Sequence, residues 1–268
     1  MEGSAKPRFF CVLAVPRTGS SHLNYLLSTI PEMHAKSELF HGRYQAEFSP
    51  GEHDALRKRS GLDLSDKAAF AAWKRTHPAA TLEAIHEGAG GQGVVTFKIF
   101  PSHIKTTLIQ SDLMARDDIA FAILRRRPIE SFISTQKANE TGTFNRRDTT
   151  GIKPELSADV FMTWARKTWR WYRWCETALK THGKPFVRIG YERDLTRVSA
   201  VEAVRALIAL LAPLQLGPLS EPDKVAWGGP QDRERRYQDR VANWSAFETA
   251  VRARADGAKL LDWAERSR

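Results

Sequence analysis

Two cysteines in 268 residues, Cys11 and Cys175, are too few for a disulfide framework or a cysteine-built metal centre. Their scarcity fits a reducing, cytoplasmic setting. No apolar run approaches the roughly 20 residues that cross a bilayer, so stable membrane insertion is not expected. The apolar stretch 9–15 has Glu2 upstream and stops at Pro16-Arg17 without a small-residue cleavage pattern, so it reads as a core strand rather than a signal segment. Acidic residues are outnumbered, 31 Asp and Glu against 41 Lys and Arg, for a net charge of +10. That excess favours an anionic partner, whether nucleic acid, an acidic membrane or a multiply phosphorylated small molecule. Missing too are helix-turn-helix, zinc-finger and RNA-binding aromatic signatures, internal repeats and low-complexity tracts. A hydrophobic content of 42% is ordinary for a globular chain, and residues 1–268 are expected to form one domain.

Four short apolar runs, 9–15, 94–100, 119–124 and 186–189, read as buried strands separated by helix-like material, which predicts an α/β fold. The spacing of Leu23, Leu26, Leu27 and Ile30 predicts a helix starting near Ser20 and ending before Pro31. A second helix is expected over 65–73 with Ser65 as its cap. The longest spans about 157–182, with Phe161, Trp164, Thr168, Trp171, Cys175, Ala178 and Leu179 on one stripe and Gly183 closing it. Trp164 and Trp171 are read as core. Ser199 and Glu202 form a capping box for a helix reaching Leu211, stopped by Pro213. Residues 48–61, 139–155 and 216–238 read as loops or lids, the middle one carrying Arg146, Arg147 and Lys153.

The most specific feature is the strand-to-helix turn Val15-Pro16-Arg17-Thr18-Gly19-Ser20-Ser21-His22. A glycine that lets the backbone come close, successive amides and the positive end of a helix dipole converge on an anion there. Ser20 and Ser21 add hydroxyls and Arg17 adds a charge. The GxxxxGK[ST] spacing of a P-loop is absent, because no Lys precedes Ser20.

Read position by position, Arg17-Thr18-Gly19-Ser20-Ser21 resembles the 5′-phosphosulfate loop of the sulfotransferase family. That resemblance implies a P-loop-like, three-layer fold with a central, mainly parallel sheet of about four to five strands. It also implies 3′-phosphoadenosine 5′-phosphosulfate (PAPS) as co-substrate, bound by Arg17, Thr18, Gly19, Ser20, Ser21 and His22. The family also carries an Arg at a strand end and a Ser eight positions later, which hold the 3′-phosphate. Within Arg125-Arg126-Arg127-Pro128 to Ser134 this pair is Arg126 and Ser134, with Arg125 as a substitute. Gly190-Tyr191-Glu192-Arg193-Asp194-Leu195 is similar to the family's Tyr-Glu-Asp-Leu segment with one residue inserted, which brings Tyr191 near the adenine.

Sulfuryl transfer needs an in-line nucleophile, charge neutralisation and a base for the acceptor hydroxyl. Bacterial carbohydrate-modifying relatives, including trehalose sulfotransferase and the nodulation-factor enzymes, place a Glu shortly after the first helix, and Glu38 matches it. Burial beside Leu39 and Phe40 would raise its pKa towards neutrality and make it a better base. The steroid- and phenol-modifying branch uses Lys-x-His at an inner strand end. Here Lys98 keeps the Lys, Phe100 takes the His position, and His103 is the secondary base. Lys98 would stabilise the bridging oxygen. His34, His41, His53, His77, His86 and His182 show no metal-ligand spacing, and no metal is expected.

The expected activity is transfer of a sulfuryl group to a carbohydrate or small-molecule acceptor. The oligomeric state is left open, a homodimer being one option, and nucleic acid is not an expected ligand. The competing readings are a P-loop kinase, which would bind magnesium-ATP, and a non-enzymatic nucleotide- or nucleic-acid-binding module, whose DNA affinity would fall steeply with salt.

Overall fold

Alternate residues of an extended chain face opposite ways, and the first strand, β1 (Phe9–Leu13), is buried on both sides. Phe9, Cys11 and Leu13 enter one hydrophobic layer, while Phe10 and Val12 enter the other. Such a strand needs cover on both faces, as in a parallel sheet between helices. A computed structural model describes residues 7–42, 47–142, 148–196, 199–225 and 232–263 and has this α/β architecture.

Along the chain β1 leads to α1 (Ser20–Ser28), β2 (Met33–Ala35), α2 (Pro50–Ser60), α3 (Lys67–Thr76), α4 (Pro78–Gly88) and β3 (Val94–Ile99). Then come α5 (Thr106–Leu108), which continues as a π-helical turn over Ile109–Met114, β4 (Ile119–Arg125), α6 (Pro128–Thr141), α7 (Ala158–Thr181) and β5 (Phe186–Gly190). A second π-helical turn, Tyr191–Leu195, precedes α8 (Ala200–Leu211), and α9 (Tyr237–Arg240), α10 (Trp244–Arg252) and α11 (Gly257–Leu261) follow.

The sheet order is β2-β3-β1-β4-β5, and every pairing is parallel. In register, Val12 stands beside Lys98 on β3 and Ala122 on β4. Helices α4 and α7 pack on one face, and α1 and α8 on the other. A further cluster joins α6, α7, α10 and α11 through Phe132, Phe161, Phe247 and Val251. Trp171 Nε1 donates to the Ala14 carbonyl at 3.1 Å and Tyr172 Oη to the Leu124 carbonyl at 2.8 Å, pinning α7 across the ends of β1 and β4.

The expected strands all form, and β2, three residues long and at the sheet edge, is the addition. The cap Ser199 and the stop after Leu211 stand as expected, and the helix expected over about 157–182 is α7, which Ser157 caps. Trp171 is buried in the core, whereas Trp164 is only half-buried against Phe132. Other expectations need correction. Residues 48–61 are mostly helix rather than loop, because Ser49 and Glu52 form a capping box, Pro50 starts the first turn and Gly61 ends it at φ 68°. The helix expected over 65–73 is α3, capped by Asp66, whose carboxylate accepts from the Ala68 and Ala69 amides; the Ser65 hydroxyl instead donates to Asp63. The expected loop at 139 begins as the last turn of α6, and the one ending at 238 runs into α9. Arg146 and Arg147 lie outside the described residues. Among those described, no helix is long and apolar enough to cross a membrane, and both cysteine thiols are free and buried.

Candidate active site

Parallel strands all end on the same edge, so side chains far apart in sequence meet there, a common place for ligands in open α/β sheets. Every strand contributes. Residues 17–21 follow β1, Glu38 follows β2, Lys98 sits near the end of β3, Arg126 follows β4 and Tyr191 follows β5.

Arg17 at φ 67° and Gly19 at φ 82° bend the chain sharply enough to start α1. Gly19 is the N-cap and supplies no capping side chain, so the first-turn amides of α1 point into the loop. Tyr191 closes this loop from above: a Cβ on Gly19 would lie 2.1 Å from its ring. The tyrosine is delivered by the π-helical turn after β5, which is tied down by Asp194 accepting from the Gly190 amide at 2.7 Å. His22 meets Tyr191 edge-on, with ring centroids 6.2 Å apart, and burial lowers its pKa. The Thr18 hydroxyl is engaged inside the turn, donating to the Val15 carbonyl at 2.7 Å.

The two candidate arginines after β4 separate cleanly. Arg125 turns away from the loop to Glu176 at 2.7 Å and lies against Tyr172 and Trp263. Arg126 turns towards the loop, donating to the Arg17 carbonyl at 3.2 Å and lying 4.5 Å over the Tyr191 ring. Glu130 at 3.4 Å and Glu192 at 3.7 Å steady it, while its buried Nε has no hydrogen-bond acceptor among the described residues. Arg17 Nε donates to Ser134 Oγ at 3.0 Å. Burial, and then the nearby Arg126 charge, lower the Arg17 pKa. Two guanidiniums and a serine hydroxyl therefore converge beside the cradle, a donor set suited to a phosphate.

On the other side of the loop, the chain leaving β2 stays beside β3. Lys36 donates its amide to Thr96 and Lys98 donates its own to Ser37, both at 2.8 Å. Ser37 adopts φ 52°, and its amide donates to Asn24 Oδ1 on α1 at 3.1 Å. This bend turns Glu38 inward. Lys98, only 3% exposed, stands 3.3 Å from Glu38 Oε1 and 3.4 Å from the hydroxyls of both Ser20 and Ser21. His103 Nε2 stands 3.6 Å from Glu38 Oε2.

The ionisation of Glu38 differs from the sequence expectation. Burial does push its pKa up, but the His103 ring and the Lys98 ammonium outweigh it and hold the carboxyl at about 2. Lys98 shifts downward, chiefly through burial, with Glu38 opposing.

His103 is 1% exposed, and its Nδ1 accepts the Phe100 amide hydrogen at 3.2 Å. An Nδ1 that accepts leaves the ring proton on Nε2, the nitrogen facing Glu38. Glu38, His41 and His103 bring ligand atoms within 4.8 Å of one another, a convergence that sequence spacing did not reveal. They suit a metal poorly, since coordination through Nε2 requires a lone pair where this tautomer carries its proton.

Sequence reasoning assigned no role to Asn24, Ser37 or His41, which stand in no motif, nor to Glu130 and Glu192, which lie inside the 125–134 and 190–195 segments but were passed over there. Only the proximity of Ser37 to Glu38 was a local clue.

No protein-family model matches the chain, and no curated protein matches it. Among solved structures it is similar to the sulfotransferase domain from the Synechococcus PCC 7002 olefin synthase, at 16% identity and a TM-score of 0.46, over 98% of this chain and 97% of that one.

Proposed function

We propose that this protein is a sulfotransferase that moves the sulfuryl group of PAPS to a hydroxyl of a carbohydrate or small-metabolite acceptor. The observation that carries the reading is the position of Lys98, within 3.4 Å of the Ser20 and Ser21 hydroxyls on one side and 3.3 Å from Glu38 on the other. An anion-binding loop and a carboxylate base thus share one buried ammonium, as in-line transfer from a bound anion to a hydroxyl requires.

The first-turn amides of α1 and the hydroxyls of Ser20 and Ser21 hold the 5′ end of the donor. Arg126, with Arg17 and Ser134, holds the 3′-phosphate, the group that separates this donor from ATP. Tyr191 covers the loop and borders the base of the nucleotide. PAPS, when bound, supplies an activated sulfuryl group whose leaving group is adenosine 3′,5′-bisphosphate.

Glu38 takes the proton from the acceptor hydroxyl. Its very low pKa in the free protein comes largely from its neighbours, so Lys98 turning towards the bound anion withdraws a positive charge and makes the carboxylate more basic. Lys98 then neutralises charge developing on the oxygen between nucleotide and sulfuryl group. His103, whose Nε2 bears its proton and faces Glu38 Oε2 at 3.6 Å, is a positioning residue rather than the base.

The test is thermal stabilisation by adenosine 3′,5′-bisphosphate beside ADP and magnesium-ATP, since a specific ligand raises stability by mass action. Selective stabilisation by the bisphosphate, lost in Arg126→Ala, supports the reading. Stabilisation by magnesium-ATP alone overturns it in favour of a kinase.

A further inference from the structure

Lys74 is 1% exposed and, among the described residues, pairs with no carboxylate. Its ammonium lies 5.0 Å over the Phe70 ring and 5.8 Å over the Phe48 ring. A buried cation without a counter-ion is costly, and a methionine would fill the same space without that cost. The Lys74 ammonium donates to the Leu39 carbonyl at 2.9 Å, the residue after Glu38. That carbonyl belongs to the turn in which the His41 amide donates to the Glu38 carbonyl at 2.9 Å.

The next residue, Arg75, reaches the other half of the same apparatus. Its Nε donates to the His103 carbonyl at 2.7 Å and its Nη2 to the Ser102 carbonyl at 3.3 Å. These carbonyls close the turn that seats His103, where the His103 amide donates to the Phe100 carbonyl at 3.0 Å. Consecutive residues of α3 thereby grip the two segments whose side chains meet at Glu38 Oε2 and His103 Nε2, while α3 contributes no side chain to the meeting point itself.

We propose that Lys74 and Arg75 are positioning residues that lock the 38–41 turn to the 100–103 turn and so keep His103 Nε2 facing Glu38 Oε2. The inference deepens the sulfotransferase reading, since it rests on Glu38 being the base. It follows from the geometry: a separation of 3.6 Å is sensitive to small shifts of either turn, and both turns are held by one rigid helix. Burial lowers the Lys74 pKa to about 8, so the ammonium form persists at neutral pH.

The experiment uses the full chain and the variants Lys74→Met, Arg75→Gln and Arg75→Lys. Titration of Glu38 is followed by the chemical shift of its carboxyl carbon in the ligand-free protein, beside calorimetric binding of adenosine 3′,5′-bisphosphate and steady-state transfer. Loosening the clamp should raise the Glu38 pKa from about 2 towards the ordinary carboxylate value. It should move the acid limb of kcat with it, and the misplaced carboxylate, although more basic, should lower kcat by on the order of tenfold to a hundredfold. Bisphosphate affinity should stay unchanged, because Lys74 and Arg75 bond the Leu39, Ser102 and His103 carbonyls rather than the donor loop, and Arg75→Lys should recover part of what Arg75→Gln loses. Wild-type Glu38 titration and wild-type kcat in both Lys74→Met and Arg75→Gln would overturn the proposal. If the buried Lys74→Met variant does not fold, the exposed Arg75 pair decides by the same readouts. A wild-type chain that binds no bisphosphate would sink the sulfotransferase reading, while the Glu38 titration would still decide the clamp.

Discussion

Tyr191 lies so close over Gly19 that a Cβ there would stand 2.1 Å from its ring. The anion loop is therefore roofed by a residue from the far end of the sheet, and glycine is required for two independent reasons: the φ of 82° and the space beneath the ring.

Gly19→Ala should lose stabilisation by adenosine 3′,5′-bisphosphate and cost roughly 1–3 kcal/mol of folding stability from the strained backbone alone. Combining it with Tyr191→Ala removes the clash and leaves the strain, so the double variant should recover only part of the loss. Denaturant melts with and without the bisphosphate measure both effects.

Arg125 and Arg126 are neighbours with opposite expected phenotypes. Arg126→Ala should weaken bisphosphate binding by about 1.5–3 kcal/mol, the range for a hydrogen bond to a charged group. Arg125→Ala should leave affinity intact and lower the melting temperature, because it leaves Glu176 with Arg188 as its remaining cation and removes the guanidinium packed on Tyr172 and Trp263. Calorimetry and thermal melts on the two variants separate the roles.

Glu38→Gln keeps the shape of the site and removes the proton acceptor. Donor-product binding should persist while kcat falls by about a hundredfold to ten-thousandfold, the usual contribution of a general base. Near-wild-type turnover would remove Glu38 from the mechanism.

Glu38 also predicts a pH dependence of stability. Its folded pKa, about 2, lies below its ordinary value of 4.5. The carboxylate thus adds stability that is fully present above about pH 4.5 and is lost as pH falls through about 2, at most roughly 3 kcal/mol. Lys98 stays protonated throughout this window in both folded and unfolded states and contributes no slope there. The stability difference between wild type and Glu38→Gln, measured in urea at several pH values, should therefore shrink as the solution is acidified below pH 4.5.

The sequence by itself determined the buried strands, the glycine turn that opens α1, the long α7 and the capping box of α8. Each depends on side-chain period or turn chemistry, which act between near neighbours. It also singled out Glu38, Lys98, His103, Arg126 and Ser134 as residues of interest. It did not disclose β2, which is too short to carry a period, or α2, whose apolar positions are too few to show a stripe. Only the tertiary structure decided that Arg126 and not Arg125 faces the loop, since both stand at the same strand end and differ only in which way each side chain leaves it. It alone decided that Lys98 and His103 outweigh burial at Glu38, because a pKa is set by charges and protons brought within a few ångströms across the sheet edge. The tautomer of His103 and the grip of Lys74 and Arg75 have the same origin, in backbone groups that no local pattern brings together.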